Sequence, residues 1–353
     1  MCFGCGLRKN LRPFASGLLS AALLLGASLP AMAVGTSEGR ARLETALHEE
    51  SFKVRAAAAV ALGRMGDDEA VVALSKAIER DDHYAVRAAA AGAIGRIGAS
   101  RGVAALLYAL TDENAFVREE AREALERFHK AEHLVAFEPA LDAAAPARRL
   151  AAVQAYGAVL REGHDEAAAP LLTALGDADE GVRLTAQGAL DRIPHERAVP
   201  VLIAGLSHDD ADSRTRCADM LSRRADERAV APLLGALSSL GERDEVRGAI
   251  RHALKNHRAY ISIERTRANA RSSAVVDDRA SALRLLAALE DAEALPLLEL
   301  AIGDPSPVIR TAAARALVDI GGPSAKGVLT RAAQSETDVR VKRQLELGIK
   351  QIR

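Results

Sequence analysis

The chain has 353 residues, with 47 Lys and Arg against 48 Asp and Glu, for a formal net charge of −1. So even a balance does not call for a polyanionic partner. Aromatic residues make up 3%, without a Trp, so there are few platforms on which bases or sugars could stack, and nucleic acid is disfavoured as a partner.

Residues 1–33 read as an address rather than as part of the fold. Arg8, Lys9 and Arg12 form a basic start, an apolar run of small residues and leucines follows, and Ala31-Met32-Ala33 closes it. That order is a secretory signal peptide with cleavage after Ala33. The apolar run is shorter than the about 20 residues a membrane span needs, so no transmembrane span is expected after cleavage. The protein is expected in the periplasm or secreted. Loss of three basic residues takes the formal charge from −1 to −4. Cys2 and Cys5 leave with the leader, and the remaining Cys217 cannot form an intrachain disulfide.

From residue 34 to 353 the chain repeats itself. Residues 85–98, AVRAAAAGAIGRIG, form one amphipathic helix with a glycine stop, and close copies carry Val54-Arg55, Val86-Arg87, Val117-Arg118, Val182-Arg183, Val246-Arg247, Ile309-Arg310 and Val339-Arg340. With Arg149, Arg214 and Arg279 filling the gaps, successive arginines lie 30 to 34 residues apart. A fixed period in the thirties is the mark of stacked helical repeats, so the expected fold is all-α: a solenoid of about ten two-helix units.

Each unit opens with a helix of the type APLLTAL. Pro170, Pro200, Pro232 and Pro296 suit its first turn, where a missing N–H costs nothing. A polar turn follows, with Asp81, Asp112, Asp177 or Asp304 placed to cap the second helix. Counting from the repeated arginine, position +6 is Ala in seven of ten units and position +7 is large and apolar from Leu62 through Leu347. These share one helical face with the residue before the arginine and position +3. Cys217 stands where other units carry Ala90, Ala186 or Ala313, which makes it a small buried apolar residue.

The pattern Asp-x4-Val-Arg-x-x-Ala-x-x-Ala-Ile-Gly-x-Ile-Gly over residues 81–98 resembles the HEAT-like repeat of the phycobilisome-lyase type. That family spans scaffolds, bilin lyases and a di-iron hydroxylase. The resemblance implies that the turn Asp of one unit pairs with the repeated Arg of its neighbour, forming a ladder along the stack. In the hydroxylases, His-Glu pairs on the repeated helices hold the metal. Here the only such pairs, His48-Glu49 and His195-Glu196, map to turns, so that activity is not carried over. HExxH, a phosphate loop and a nucleophile elbow are all missing from the sequence. No catalytic residue, metal ligand or cofactor is therefore assigned. His129 and His133 would share a helical face, with His164 and His195 in later loops, but a zinc site needs three or four ligands converging within about 2.3 Å of one ion.

One region departs from the repeat. Residues 246–276 hold seven basic residues and a single acid, Glu264. Arg247, Arg251, Lys255 and Arg258 follow helical spacing, and Arg265, Arg267 and Arg271 replace the apolar core of the next unit's first helix. The segment is either a solvated, irregular repeat or a site for an acidic or anionic partner. The function expected is that of an exported, non-enzymatic protein-binding scaffold, with a HEAT-like enzyme, lyase or metal hydroxylase, as the alternative.

Overall fold

The computed structural model describes residues 37–238 and 243–352; the leader and its cleavage point lie outside the described residues. Among the described residues there are twenty α-helices, arranged as ten consecutive pairs. The pairs are α1 Ser37–Ala46 with α2 Phe52–Met65, α3 Ala70–Arg80 with α4 Tyr84–Ile97, and α5 Val103–Ala109 with α6 Ala115–Leu125. Next come α7 Leu134–Leu141 with α8 Pro146–Glu162, α9 Ala168–Ala174 with α10 Glu180–Asp191, and α11 His195–Gly205 with α12 Ala211–Ser222. The series closes with α13 Glu227–Leu237 and α14 Asp244–Asn256, α15 Ile263–Ser272 and α16 Val276–Ala288, α17 Ala294–Ala301 and α18 Pro307–Ile320, and α19 Gly322–Ser335 and α20 Val339–Gln351. No strand occurs among the described residues, and none of their helices is long and apolar enough to cross a membrane.

The chain divides into two compact units. One runs to Pro170 and includes Asp179–Thr185; the other takes Leu171–Ala178 and the chain from Ala186 onward. Within the first, α2, α4 and α6 pack side by side; within the second, α12 packs on α14, and α16, α18 and α20 form a row. The even-numbered helices bury the face read from the sequence. Val86, Ala90, Ala93 and Ile94 have no accessible surface, nor do Ile309, Ala313, Ala316 and Leu317.

The alanine at position +6 has a specific partner. A Cβ added to Gly63 would lie 2.6 Å from the Cα of Ala93, and one added to Gly95 would lie 2.6 Å from the Cβ of Ala124. Position +8 of one unit thus rests on position +6 of the next, and both must be small for the helices to approach. Gly95→Ala is expected to destabilise the first unit by about 1–3 kcal/mol through this overpacking, measured as a lowered denaturant midpoint. An unchanged midpoint would mean that α4 and α6 can separate freely. Gly66 and Gly98 end α2 and α4 in the left-handed region, at φ of 72° and 77°, as a helix stop requires.

Arginine and acid hold the stack together. Arg87 donates from Nε and Nη2 to the two oxygens of Asp112 at 2.7 and 2.9 Å, and from Nη1 to the carbonyls of Asp81 and Asp82 at 3.0 and 3.1 Å. Arg55 does the same with Asp81 and the carbonyls of Glu49 and Glu50. Arg279 pairs with Asp304, and Arg310 with Glu336. The carbonyl half of the clamp recurs at Arg118, Arg149 and Arg214. Arg55, Arg87 and Arg310 therefore each fasten their own turn and the next one.

Several expectations need correction. Asp81, Asp112 and Asp304 do not cap the second helix. Their carboxylates face the preceding arginine and accept from the backbone N–H two residues on, at His83, Asn114 and Ser306. The cap falls to that later residue in two cases: His83 accepts from the N–H of Ala85, and Asn114 from that of Phe116. Pro200 and Pro232 lie inside α11 and α13 rather than in the first turn, because HERAV and ERAVA add a helical turn ahead of them. The last repeat is shifted by two residues: Val339 is exposed, Val341 is buried, and Gly348 packs on Val318. Lys342, not Arg340, occupies the arginine position, 32 residues after Arg310. Cys217 is fully buried against Gly205, and burial pushes its thiol up to about 12.

Candidate functional site

The basic residues singled out in the sequence lie on α14, on the short turn after it and on α15. Arg247, Arg251 and Lys255 share α14, which ends at Asn256, so Arg258 falls in a 3-10 turn and not on the same helix. Arg247 Nη2 contacts both oxygens of Asp319 at 2.6 and 2.7 Å, and Arg251 Nη1 contacts Asp319 Oδ1 at 2.7 Å. Lys255 pairs with Glu290 at 2.5 Å, and Arg258 donates to the Leu289 carbonyl at 3.4 Å. Arg267 forks onto Asp291 at 3.0 and 2.9 Å, and both Arg267 and Arg271 reach Glu293. Arg265 is exposed, without a side-chain partner among the described residues.

The stripe is therefore not a row of open charges. It ties α14 and α15 to the turn between α16 and α17 and to α18. The hydrogen bond from Arg267, opposed by burial and helped by the Glu293 N–H, holds the Asp291 carboxyl below the usual carboxylate range. The weak apolar face of α15 is likewise not given up for display. Thr266 and Ala270 remain buried, and ion pairs supplement them. Sequence reading missed these acids because they lie 22 to 72 residues from their cations.

It also missed two cations. Arg284 on α16 and Arg315 on α18 are both partly buried. Burial and the nearby Arg247 lower Arg315, against the opposing pull of Asp319. Burial and Arg315 lower Arg284, against Asp277. Arg315 Nη1 donates to the Ser238 carbonyl at 3.3 Å, and Arg284 Nε is buried with no hydrogen-bond partner. Arg247 and Arg251 thus contact Asp319, whose side chain is 3% exposed, while Arg315 acts on the same carboxylate from a distance and Arg284 stands near enough to Arg315 to feel its charge. The signal available in the sequence was an arginine at position +5 in two successive units, Arg284 and Arg315, counted from Arg279 and Arg310.

In the first unit a different row is open. Arg64, Arg96 and Arg127 stand at position +9 of three consecutive units and are exposed. None has an ion-pair partner among the described residues. Burial and its two neighbours in the row lower Arg96, while Glu120 on α6 pulls the other way.

The histidines separate. His129 is exposed and follows the end of α6, while His133 is buried at the head of α7, edge-on to Phe128 at 5.2 Å. They do not share a helix, because α6 stops at Leu125. Burial lowers the pKa of His133. His164 contacts Glu166 at 3.0 Å, and His195, which opens α11, contacts Asp226 at 3.1 Å. Among the described residues no group of three His, Cys, Asp or Glu is placed to hold a metal.

A family model described as HEAT repeats matches residues 71–157, 164–255 and 264–350, and one described as PBS lyase HEAT-like repeat matches residues 54–80. No curated protein matches the chain. Among solved structures, the chain is similar to the complex of CpcE and CpcF of phycocyanin lyase from Nostoc sp. PCC7120, at 21% identity and a TM-score of 0.31, covering 71% of this chain and 94% of that one. It is also similar to human deoxyhypusine hydroxylase, at 20% identity and 0.29, covering 80% and 96%. An engineered protein gives 20% identity and 0.30, covering 89% and 98%. At these scores none of the three carries an argument about activity.

Proposed function

The chain belongs to the HEAT-repeat family, and from that premise we propose that it is an exported, non-enzymatic scaffold that binds an acidic protein segment. The observation that supports this reading most is the row Arg64, Arg96 and Arg127: one exposed arginine residue per repeat, each without an ion-pair partner among the described residues. Neighbouring packed helices lie about 8–10 Å apart. An extended chain advances about 3.3–3.6 Å per residue. An extended segment with an acid at roughly every third residue would therefore meet each arginine in turn.

The test is capture of partners from an envelope extract by wild type and by the Arg64→Glu, Arg96→Glu, Arg127→Glu triple variant. The variant is expected to keep its helicity and melting behaviour, since exposed charges contribute little to stability, and to lose the partner. Binding by the wild type should also weaken as salt shortens the screening length to about 8 Å. The chain isolated from the envelope should itself begin at Val34. A triple variant that retains the same partner at the same salt sensitivity would overturn the reading, as would a cytoplasmic protein that keeps Met1. The stripe from Arg247 to Arg271 is a poorer place for this test, because charge reversal there breaks internal ion pairs as well.

A further inference from the structure

We propose that Arg247, Arg251, Arg284 and Arg315 form a binding site for a phosphate-type dianion in the second unit, with Asp319 as a built-in competitor for the same cations. The argument begins with charge. The group carries four positive charges against Asp319, which Arg247 and Arg251 contact, and Asp277, which acts on Arg284 from a distance. Four cations less two acids leave an excess of two. Guanidinium groups do not shed their protons to relieve such crowding, so the excess persists at neutral pH.

Burial makes the excess costly. The Arg247 side chain is 14% exposed and Arg251 is 30% exposed, while Arg284 buries its Nε with no partner. Like charges held away from water repel more strongly than on an open surface. Carbonyl acceptors offset part of this: Leu237 receives Arg247 and Ser238 receives Arg315. A compact, doubly charged oxyanion would bring the local sum to zero and give the Arg284 Nε an acceptor, its Nη2 already meeting Ser281 Oγ at 3.4 Å. The planar fork of arginine suits phosphoryl oxygens, which it can engage two at a time.

Position explains why the group converges. Arg247 and Asp319 are 72 residues apart, so their contact passes over a whole repeat. Arg251 departs from the small-residue pattern at position +4 of the second helix to reach Asp319, and Arg284 and Arg315 stand at position +5 of the next two units. A mere structural salt bridge would need one arginine for Asp319, but two contact it and a third acts on it from a distance.

The experiment is titration of the full chain with inorganic phosphate, with sulfate as a competing dianion. The wild type should bind one phosphate per chain, and sulfate should displace it. Arg284→Gln with Arg315→Gln should abolish binding while circular dichroism stays unchanged. Asp319→Asn keeps the fold of the site testable if the double variant is unstable. Removing the internal competitor should tighten phosphate binding by about tenfold, and added phosphate should restore the melting temperature that the Asn variant loses. Vesicles of phosphatidic acid against phosphatidylcholine separate the two sources: retention by phosphatidic acid that inorganic phosphate reverses assigns a headgroup, and phosphate binding without retention assigns the free ion. Failure of the wild type to bind millimolar phosphate at low salt would overturn the proposal. So would equal phosphate affinity in wild type, Asp319→Asn and the double variant. Because these residues are remote in sequence from Arg64, Arg96 and Arg127, failure here leaves the scaffold reading standing, and failure of that reading leaves this site standing.

Discussion

Arg87→Ala is expected to destabilise the first unit by about 3–5 kcal/mol, the range for removing one partner of a buried ion pair. The Arg87 and Asp112 side chains are 9% and 7% exposed. Truncation deprives both Asp112 oxygens of their donors and the carbonyls of Asp81 and Asp82 of Nη1. The dominant loss is the orphaned carboxylate, so a second change, Asp112→Asn, should recover part of the stability in the Arg87→Ala background. Acidity offers a further check. Burial raises the Asp112 pKa, but the hydrogen bond from Arg87 and the Asn114 N–H outweigh it, so the folded value lies below the ordinary one. A group of that kind contributes stability that is present above the unfolded pKa, about 3.9 for Asp, and is lost as pH falls through the folded value. Arg87→Ala should shrink this acid-side loss. Equal denaturant midpoints for wild type and Arg87→Ala at neutral pH would show that the arginine row is surface decoration and not a ladder.

What could be read in the sequence was whatever recurs at the repeat period. The buried face of the second helix, the ten pairs and the arginine rungs all follow from a spacing of 30 to 34 residues, because each unit meets the same neighbour in the same way. The alanine at position +6 was visible as a pattern, but its cause was not. The Gly63–Ala93 and Gly95–Ala124 approaches involve positions on two different units. Contacts that break the period were out of reach. Arg247 meets Asp319 across a repeat, and Lys255 meets Glu290 through a turn in which Glu290 adopts a φ of 53°. The cations between 246 and 276 are plain in the sequence, but nothing in it sets those acids opposite them. The arginines at 64, 96 and 127 were passed over for the opposite reason. They recur so regularly that they read as part of the repeat, although their exposure sets them apart from the buried rungs.

Leu345→Ala is expected to cost about 2–5 kcal/mol, as for other fully buried leucines, whereas Leu347→Ala should stay within about 0.5 kcal/mol, as for surface changes. Period counting from Arg340 puts Leu347 at the buried position +7 and leaves Leu345 without a role. The structure reverses them: Leu345 has no accessible surface and Leu347 is 45% exposed. The reason is the start of α20. Asp338 accepts from the N–H groups of Arg340 and Val341 at 2.8 and 3.1 Å, which fixes the first turn of the helix. Val341 then points inward at the place Ile309 holds in α18, and Leu345 follows one turn later. Counted from Lys342, Leu345 takes position +3, where Ala313 stands in the preceding unit, and Gly348 takes position +6 against Val318. Denaturant midpoints for the two alanine variants decide between the registers. A large loss for Leu347→Ala with none for Leu345→Ala would restore Arg340 as the tenth rung.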